Sequence, residues 1–224
     1  MKITWIGQAG LLIETKGKSI IVDPYLSDSV AKVNPRNYRR KPVDNRFLEK
    51  QPDVLICTHN HLDHLDPDTV PHYLKREQKV LVLAPNSCFL ELRKFGGTHN
   101  YVKFDRHAEW TEAGIHFTSV LADHSDTTPI GVIIDDGETR IYITGDTLYN
   151  EDIFADIKQP IDVLFLPING VGNNMNKTDA ARFAAKVGAK KVVPLHWGMF
   201  DELTPDDFAV ENKIIPEIYK EIAL

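Results

Sequence analysis

Asp53-Val54-Leu55-Ile56-Cys57-Thr58-His59-Asn60-His61-Leu62-Asp63-His64 sets an apolar run directly against a knot of histidines and a carboxylate. Val54 to Cys57 reads as a buried strand of a parallel or mixed sheet, because a strand covered on both faces is continuously apolar. The residues after it fall in the loop at the strand's C-terminal end, where α/β sheets carry their sites. Imidazole nitrogens and carboxylate oxygens are ligand types for zinc, manganese or iron. Core packing gives no reason to place His59, His61, Asp63 and His64 so close together. H-x-H-x-D-H after a strand therefore reads as a metal-binding loop.

Working outward, the N-terminal side supplies short strands at Lys2 to Ile6, Leu11 to Thr15 and Ser19 to Val22, with Thr15-Lys16-Gly17-Lys18 as a hairpin turn. Residues 27 to 50 form a polar connection, of a length that is often functional. On the C-terminal side, Asp66 reads as an N-cap and Pro67 as the first residue of a helix reaching about Gln78. A strand from Val80 to Leu83 and a helix from about Ser87 to Phe95, stopped by Gly96-Gly97, follow. The second half repeats the rhythm. Strands are expected at Ile115 to Ala122, Gly131 to Ile134, Thr139 to Thr144, Val163 to Leu166 and Lys191 to Leu195. Helices are expected at about Glu151 to Ile157, Thr178 to Val187 and from about Pro205. Two similar βα halves in one sandwich are implied, and a single domain accommodates all 224 residues.

Composition narrows the function classes. Lys and Arg total 26 against 32 Asp and Glu, a formal charge of -6 that argues against a general nucleic-acid footprint. No apolar stretch is long enough to span a bilayer, and the N-terminus lacks the features of a signal peptide. Cys57 and Cys88 do not make a disulfide framework. The expectation is a cytoplasmic protein that binds neither membrane nor nucleic acid.

The ends of the other strands carry the same chemistry. Ser19 to Val22 ends at Asp23, Phe117 to Ala122 at Asp123-His124, Ile141 to Gly145 at Asp146, and Val192 to Leu195 at His196. If these ends share one edge of the fold with the histidine loop, they converge on one site.

The ordered set Asp23, His59-x-His61-x-Asp63-His64, His124, Asp146 and His196 resembles the metallo-β-lactamase superfamily. The resemblance implies an α/β fold, a four-layer αββα sandwich, with two divalent ions along one edge. It implies that His59, His61 and His124 bind the first ion and Asp63, His64 and His196 the second, with Asp146 bridging. Asp23 would orient a ligand from behind, and Asp63 would also pass a proton to the leaving oxygen. Such ions lower the pKa of water from about 15.7 toward 7 and stabilise developing negative charge on a carbonyl or phosphoryl oxygen. The flavodiiron branch is similar but usually carries glutamate in place of His61, so histidine favours hydrolytic Zn2+ or Mn2+ over oxygen chemistry.

A finer resemblance, to the ascorbate-6-phosphate lactonase-like branch, rests on Thr58 to Asp66, Thr144-Gly145-Asp146-Thr147-Leu148-Tyr149, Leu166 to Gly170, Gly172 to Ala180 and Pro194-Leu195-His196-Trp197. It implies a small anionic substrate, a phosphorylated lactone or related ester, and makes a homo-oligomer plausible. Arg36, Arg39 and Arg40 would clamp a phosphate, or else form a solvated face. The loop of Asn173 and Asn174 leads into a helix N-terminus, which suits an anion, while Asn176 or Thr178 is a cap. Tyr149 and Trp197 are candidates for the pocket wall, although aromatics more often pack. The competing functions are a phosphodiesterase on the same metal centre and a non-catalytic metal-binding scaffold. The complete ligand set argues against the scaffold.

Overall fold

Alternate residues of each central strand enter two different cores, and this dictates the layers. The computed structural model describes residues 1–224. Ile20 and Val22 of β3 (Lys18–Val22), Val54 and Ile56 of β4 (Val54–Ile56), and Leu81 and Leu83 of β5 (Leu81–Ala84) point into one core. Ile21, Leu55 and Val82, their neighbours in sequence, point into another. The period of two along a strand makes that division unavoidable, and apolar residues on both faces demand cover on both.

The first sheet has the order β1-β2-β3-β4-β5-β6, where β1 is Lys2–Gly7, β2 Gly10–Thr15 and β6 Asn100–Lys103. The second has the order β12-β11-β10-β9-β8-β7. Its members are β7 (Glu109–Glu112), β8 (Ile115–Leu121), β9 (Ile130–Asp135), β10 (Arg140–Ile143), β11 (Val163–Pro167) and β12 (Lys191–Leu195). Each sheet pairs antiparallel strands with a parallel run, β3 to β6 in one and β10 to β12 in the other.

The inner faces meet in a core that joins Ile13, Val54 and Leu83 to Phe117, Val132 and Phe165. Outside the first sheet lie α2 (Asn45–Glu49), α3 (Val70–Leu74) and α4 (Asn86–Arg93), which contribute Phe47, Tyr73 and Leu92. Outside the second, α5 (Lys177–Val187) buries Ala180, Phe183 and Ala184. Asn176 caps α5 by accepting a hydrogen bond from the Asp179 amide, and Gly188 ends it in a left-handed conformation. The layers are therefore αββα, as expected. No helix is long and apolar enough to cross a membrane.

Several elements differ from expectation. The helix from Asp66 toward Gln78 is only α3, one turn long: Asp66 takes the Asp68 amide and the Thr69 hydroxyl on its carboxylate in a turn that precedes the helix, and residues 75–78 are not helical. The 27–50 connection holds two short helices, α1 (Ser29–Val33) and α2. Glu151–Ala155 is a 3-10 turn. The edge strands β6 and β7, partly exposed and rich in polar residues, lack the apolar pattern that announces a strand.

The segment from Pro205 is not helical. Its backbone donors go to the sheets instead: Ile214 N to Val192 O at 2.8 Å, Tyr219 N to Trp5 O at 2.8 Å and Ile222 N to Ile3 O at 2.7 Å. It thereby lies along β1 and β12, the matching edges of the two sheets, and an edge strand with open amides and carbonyls is a strong competitor for a chain that two prolines already disfavour as helix.

Candidate metal centre

Topology delivers five strand ends to one rim. β3 and β4 are parallel, so Asp23 and the His59 loop emerge on the same side. β8 and β10 are each antiparallel to β9, and β10, β11 and β12 are parallel, so the residues after β8, β10 and β12 also emerge together. These are His124, Asp146 and His196. Gly145 makes the last approach of Asp146 feasible: its φ is +62°, and a Cβ there would lie 2.8 Å from the Ile130 carbonyl oxygen. Asp23 and His196 take left-handed φ values of 44° and 61° without being glycine, which turns each side chain inward at its strand end.

The ligand-type atoms fall into three overlapping groups, His59-His61-His124, His59-His64-Asp146 and Asp63-His64-His196, with the atoms of each group within 4.8 Å of one another. Asp146 touches every part. Its Oδ2 is 3.2 Å from His196 Nε2, 3.8 Å from His124 Nε2 and 4.0 Å from His59 Nε2, while Oδ1 is 3.4 Å from His64 Nε2. Asp63 Oδ2 lies 3.2 Å from His196 Nε2 and 3.8 Å from His64 Nε2.

Acceptors behind the rings select the tautomers. Asp23 Oδ2 faces His64 Nδ1 at 2.8 Å, and a carboxylate only accepts, so Nδ1 carries the proton. Asp23 also receives the Thr58 amide (2.7 Å) and hydroxyl (2.6 Å). The Thr58 oxygen is left to accept from His59 Nδ1 at 3.1 Å. The Asn173 carbonyl accepts from His124 Nδ1 at 3.0 Å. In their neutral forms His59, His64 and His124 thus all turn an Nε2 lone pair toward the centre.

Three buried atoms there, His59 Nε2, His64 Nε2 and Asp146 Oδ1, have no hydrogen-bond partner. Buried polar atoms are normally paired, so convergent orphans of this chemistry fit cations between them. Without cations, protons carry the compensation. Burial pulls the His196 imidazolium down, but the Asp146 and Asp63 carboxylates outweigh it and push its pKa up to about 10. Burial opposes His64 in the same way, and Asp146, Asp23 and Asp63 hold it well above the ordinary value. His59 is driven well below its ordinary value by burial and by the neighbouring His64. Asp63, despite burial, is lowered by His64 and His196.

The centre opens into a cavity of about 380 Å3. Asp63, Asp146, His61, His196, Asn174 and Trp197 are among its walls. Trp197 also packs on Trp5, with ring centroids 4.9 Å apart. The other expected wall residues lie elsewhere. Arg36, Arg39 and Arg40 are absent from the cavity lining. Arg39 is a strut: its guanidinium donates to the carbonyls of Lys41 (2.7 Å) and Tyr25 (2.6 Å) and to the Tyr219 hydroxyl (2.7 Å). Arg40 reaches Glu202 and lies over the Tyr38 ring, and Arg36 is exposed. Tyr149 stacks with Phe154 and Arg182 on the α5 side. Asn173 contributes its carbonyl to His124, whereas Asn174 donates Nδ2–H to Asp146 Oδ2 at 2.8 Å.

Gln8 is a wall residue that sequence reasoning missed. Its Nε2 donates to Asp63 Oδ2 at 2.8 Å and lies 3.0 Å from His196 Nε2. Its carbonyl receives the His196 amide. The available signal was a lone carboxamide between Gly7 and Gly10 in an otherwise apolar hairpin.

An αββα sandwich with ligand-type histidines and aspartates gathered on the shared rim of its sheets defines a metallo-β-lactamase-type fold. The chain belongs to the metallo-β-lactamase superfamily: the family described as "Beta-lactamase superfamily domain" matches residues 2–196. It is 30% identical to a UPF0173 metal-dependent hydrolase of Bacillus thuringiensis subsp. konkukian over 96% of this chain and 93% of that one. Two solved structures share the fold at 20% identity. An isothiocyanate hydrolase from Delia radicum gut bacteria has a TM-score of 0.77, covering 100% of this chain and 99% of the other. Igni18, a metallo hydrolase from Ignicoccus hospitalis, has a TM-score of 0.74 and coverage of 98% and 96%.

Proposed function

We propose that this protein is a metal-dependent hydrolase of small esters or lactones, with two divalent ions held between His59, His61 and His124 on one side and Asp63, His64 and His196 on the other, and with Asp146 shared. The observation that carries this reading is the convergence of the buried, unpartnered His59 Nε2, His64 Nε2 and Asp146 Oδ1, with Asp146 also in the wall of the cavity. Borderline nitrogen and hard oxygen donors in that mixture suit Zn2+ or Mn2+. When bound, the ions supply a water acidic enough to be a nucleophile at neutral pH and a Lewis acid for the substrate oxygen.

The chain's own groups do the rest. Asp63 stands between the ligand cluster and the cavity, held by the Gln8 amide. In ester cleavage the water oxygen bonds to the acyl carbon, the acyl–oxygen bond breaks, and one proton must travel from water to the leaving oxygen. Asp63 is the carboxylate placed to take that proton and hand it on. Asn174 and Gln8 hold Asp146 and Asp63 in a single orientation, so neither carboxylate reorganises as charge shifts.

The lactone element of the substrate is retained, while a phosphate has no lysine or arginine to meet it in the cavity. The free, buried thiols Cys57 and Cys88 support a cytoplasmic location. The test is elemental analysis of protein reconstituted with Zn2+ or Mn2+, followed by initial rates on γ-butyrolactone, ascorbate 6-phosphate and bis(p-nitrophenyl) phosphate. Two ions per chain and lactone opening that falls about 100-fold or more in Asp146→Ala are expected. Turnover of the phosphodiester alone would replace the lactonase reading with the phosphodiesterase one.

A further inference from the structure

The chain from Ile214 to Tyr219 is tied to the two sheets at its ends. Ile214 N donates to Val192 O and Tyr219 N to Trp5 O, each at 2.8 Å. Residues 215–218 arch between those anchors, and beneath the arch lies a second cavity, of about 300 Å3. Its apolar walls are Trp5, Trp197, Met199, Ile215 and Ile218. Trp197, Gly198 and Met199 also line the cavity at the metal centre, so this segment is a partition with a hollow on each side. The second hollow opens to solvent at Ile215, which is 43% exposed, and at the exposed Lys41 and Glu217.

The polar groups around this hollow are accounted for, with one exception. Trp5 Nε1 donates to the Gln8 carbonyl and Trp197 Nε1 to the Pro194 carbonyl, both at 2.9 Å. The two indoles, packed with centroids 4.9 Å apart, therefore offer the cavity only their apolar rings. At the rim Glu217 is paired with Lys220. The neighbouring Arg39 is filled by Tyr25, Lys41 and Tyr219, and Arg40 reaches Glu202. Lys41 alone has an unpaired cation, its contact with Arg39 being through the backbone carbonyl. Its place at the rim is set by that bond (2.7 Å) and by the next carbonyl, Pro42 O, which receives the Tyr219 hydroxyl at 2.9 Å. An apolar hollow with one placed charge has the make-up of a small-molecule site, for which volumes of roughly 300–1,000 Å3 are usual.

We propose that this second cavity binds a small carboxylic acid with an apolar, ring-sized body, the body lying under the 215–218 arch against Trp197 and the carboxylate meeting Lys41. Each half of such a ligand answers one feature of the site. The apolar body leaves water for walls that have no free donor, and the anion pairs with the one rim cation that lacks a partner. The inference does not depend on the hydrolase reading, because the cavity lies on the far side of the partition from the metal centre.

The test titrates phenylacetate, and phenylacetamide as its uncharged counterpart, into the Zn2+-loaded protein by calorimetry. Phenylacetate should bind about 10-fold more tightly than the amide. Lys41→Gln should erase that difference. Ile215→Glu, at an exposed position, puts a carboxylate into the apolar wall and should weaken both compounds about 10-fold or more, with the ion content unchanged. Carboxylates also bind zinc, and the variants separate the two cavities: a preference for phenylacetate that survives Lys41→Gln places the carboxylate on the ions and overturns the proposal. Failure of the unaltered protein to bind phenylacetate overturns it, as does binding that Ile215→Glu leaves undiminished. No turnover is measured, so a protein that opens no lactone passes or fails this test all the same.

Discussion

At the scale of single residues, the site is decided by which nitrogen of each imidazole carries a proton. Asp23 is wholly buried and accepts from the Thr58 amide, the Thr58 hydroxyl and His64 Nδ1. Through Thr58 it also settles His59. One carboxylate thus presets two lone pairs. Asp23→Asn replaces an acceptor by a group that also donates, and it frees His64 to adopt the wrong tautomer. Zn2+ affinity should fall about 10- to 100-fold with the fold retained, as measured by competition with a chromophoric chelator and by circular dichroism. An unchanged affinity would remove Asp23 from this role. The same scale explains why three arginines close in sequence make no phosphate clamp: each of the three Arg39 nitrogens donates once, to Lys41, Tyr25 and Tyr219, and a guanidinium so engaged braces the 27–50 connection.

At the scale of elements, the ends of strands and turns are tied by buried acids. Asp156, just after the 3-10 turn, receives Arg106 Nε (2.8 Å) and Nη2 (3.0 Å), His107 Nε2 (2.9 Å) and the Leu121 amide (2.9 Å). It joins the segment before β7 to the end of β8, the strand that delivers His124. Burial would raise its pKa, but these donors outweigh it and hold it at about 2, below the ordinary 3.8. A folded-state pKa below the unfolded one means stability that is complete above about pH 4 and lost as pH falls toward 2. Asp156→Asn should be less stable than the parent at pH 6 in a urea titration, with the gap narrowing steadily between pH 4 and pH 2. A gap that stays constant over that range would contradict the assignment. Competing partners also set an element boundary: the chain after Pro205 gave its amides to β1 and β12.

At the scale of the whole molecule, the rim where the two sheets meet gathers two carboxylates and five imidazoles into a buried space. In the absence of ions, His64 and His196 hold protons there against burial. Loading the site must displace those protons, so metal binding and acidity are linked. Calorimetric titration with Zn2+ at pH 7 in two buffers of different ionisation enthalpy should show net proton release, and the affinity should weaken from pH 8 to pH 6. Thermal stability should rise with ion concentration, because ions that bind the folded rim alone shift unfolding by mass action. Ion binding with no proton released would contradict the protonation of His64 and His196.

Local sequence determined a good deal: the continuous apolar runs of β3, β4, β11 and β12, the hairpin turns, the α5 cap and stop, and the knot of His59, His61, Asp63 and His64. These are legible because periodicity, turn chemistry and ligand spacing all act within a few residues. The strand-end aspartates and histidines were also visible, and only their meeting was conditional. Tertiary structure decided that meeting through strand direction across two sheets. It also decided that Gln8 and Asn174 brace Asp63 and Asp146, and that Tyr149 and the arginines face away from the cavity. A side chain's partner across 28 or 55 positions of chain is set by how layers pack, and no local pattern encodes it.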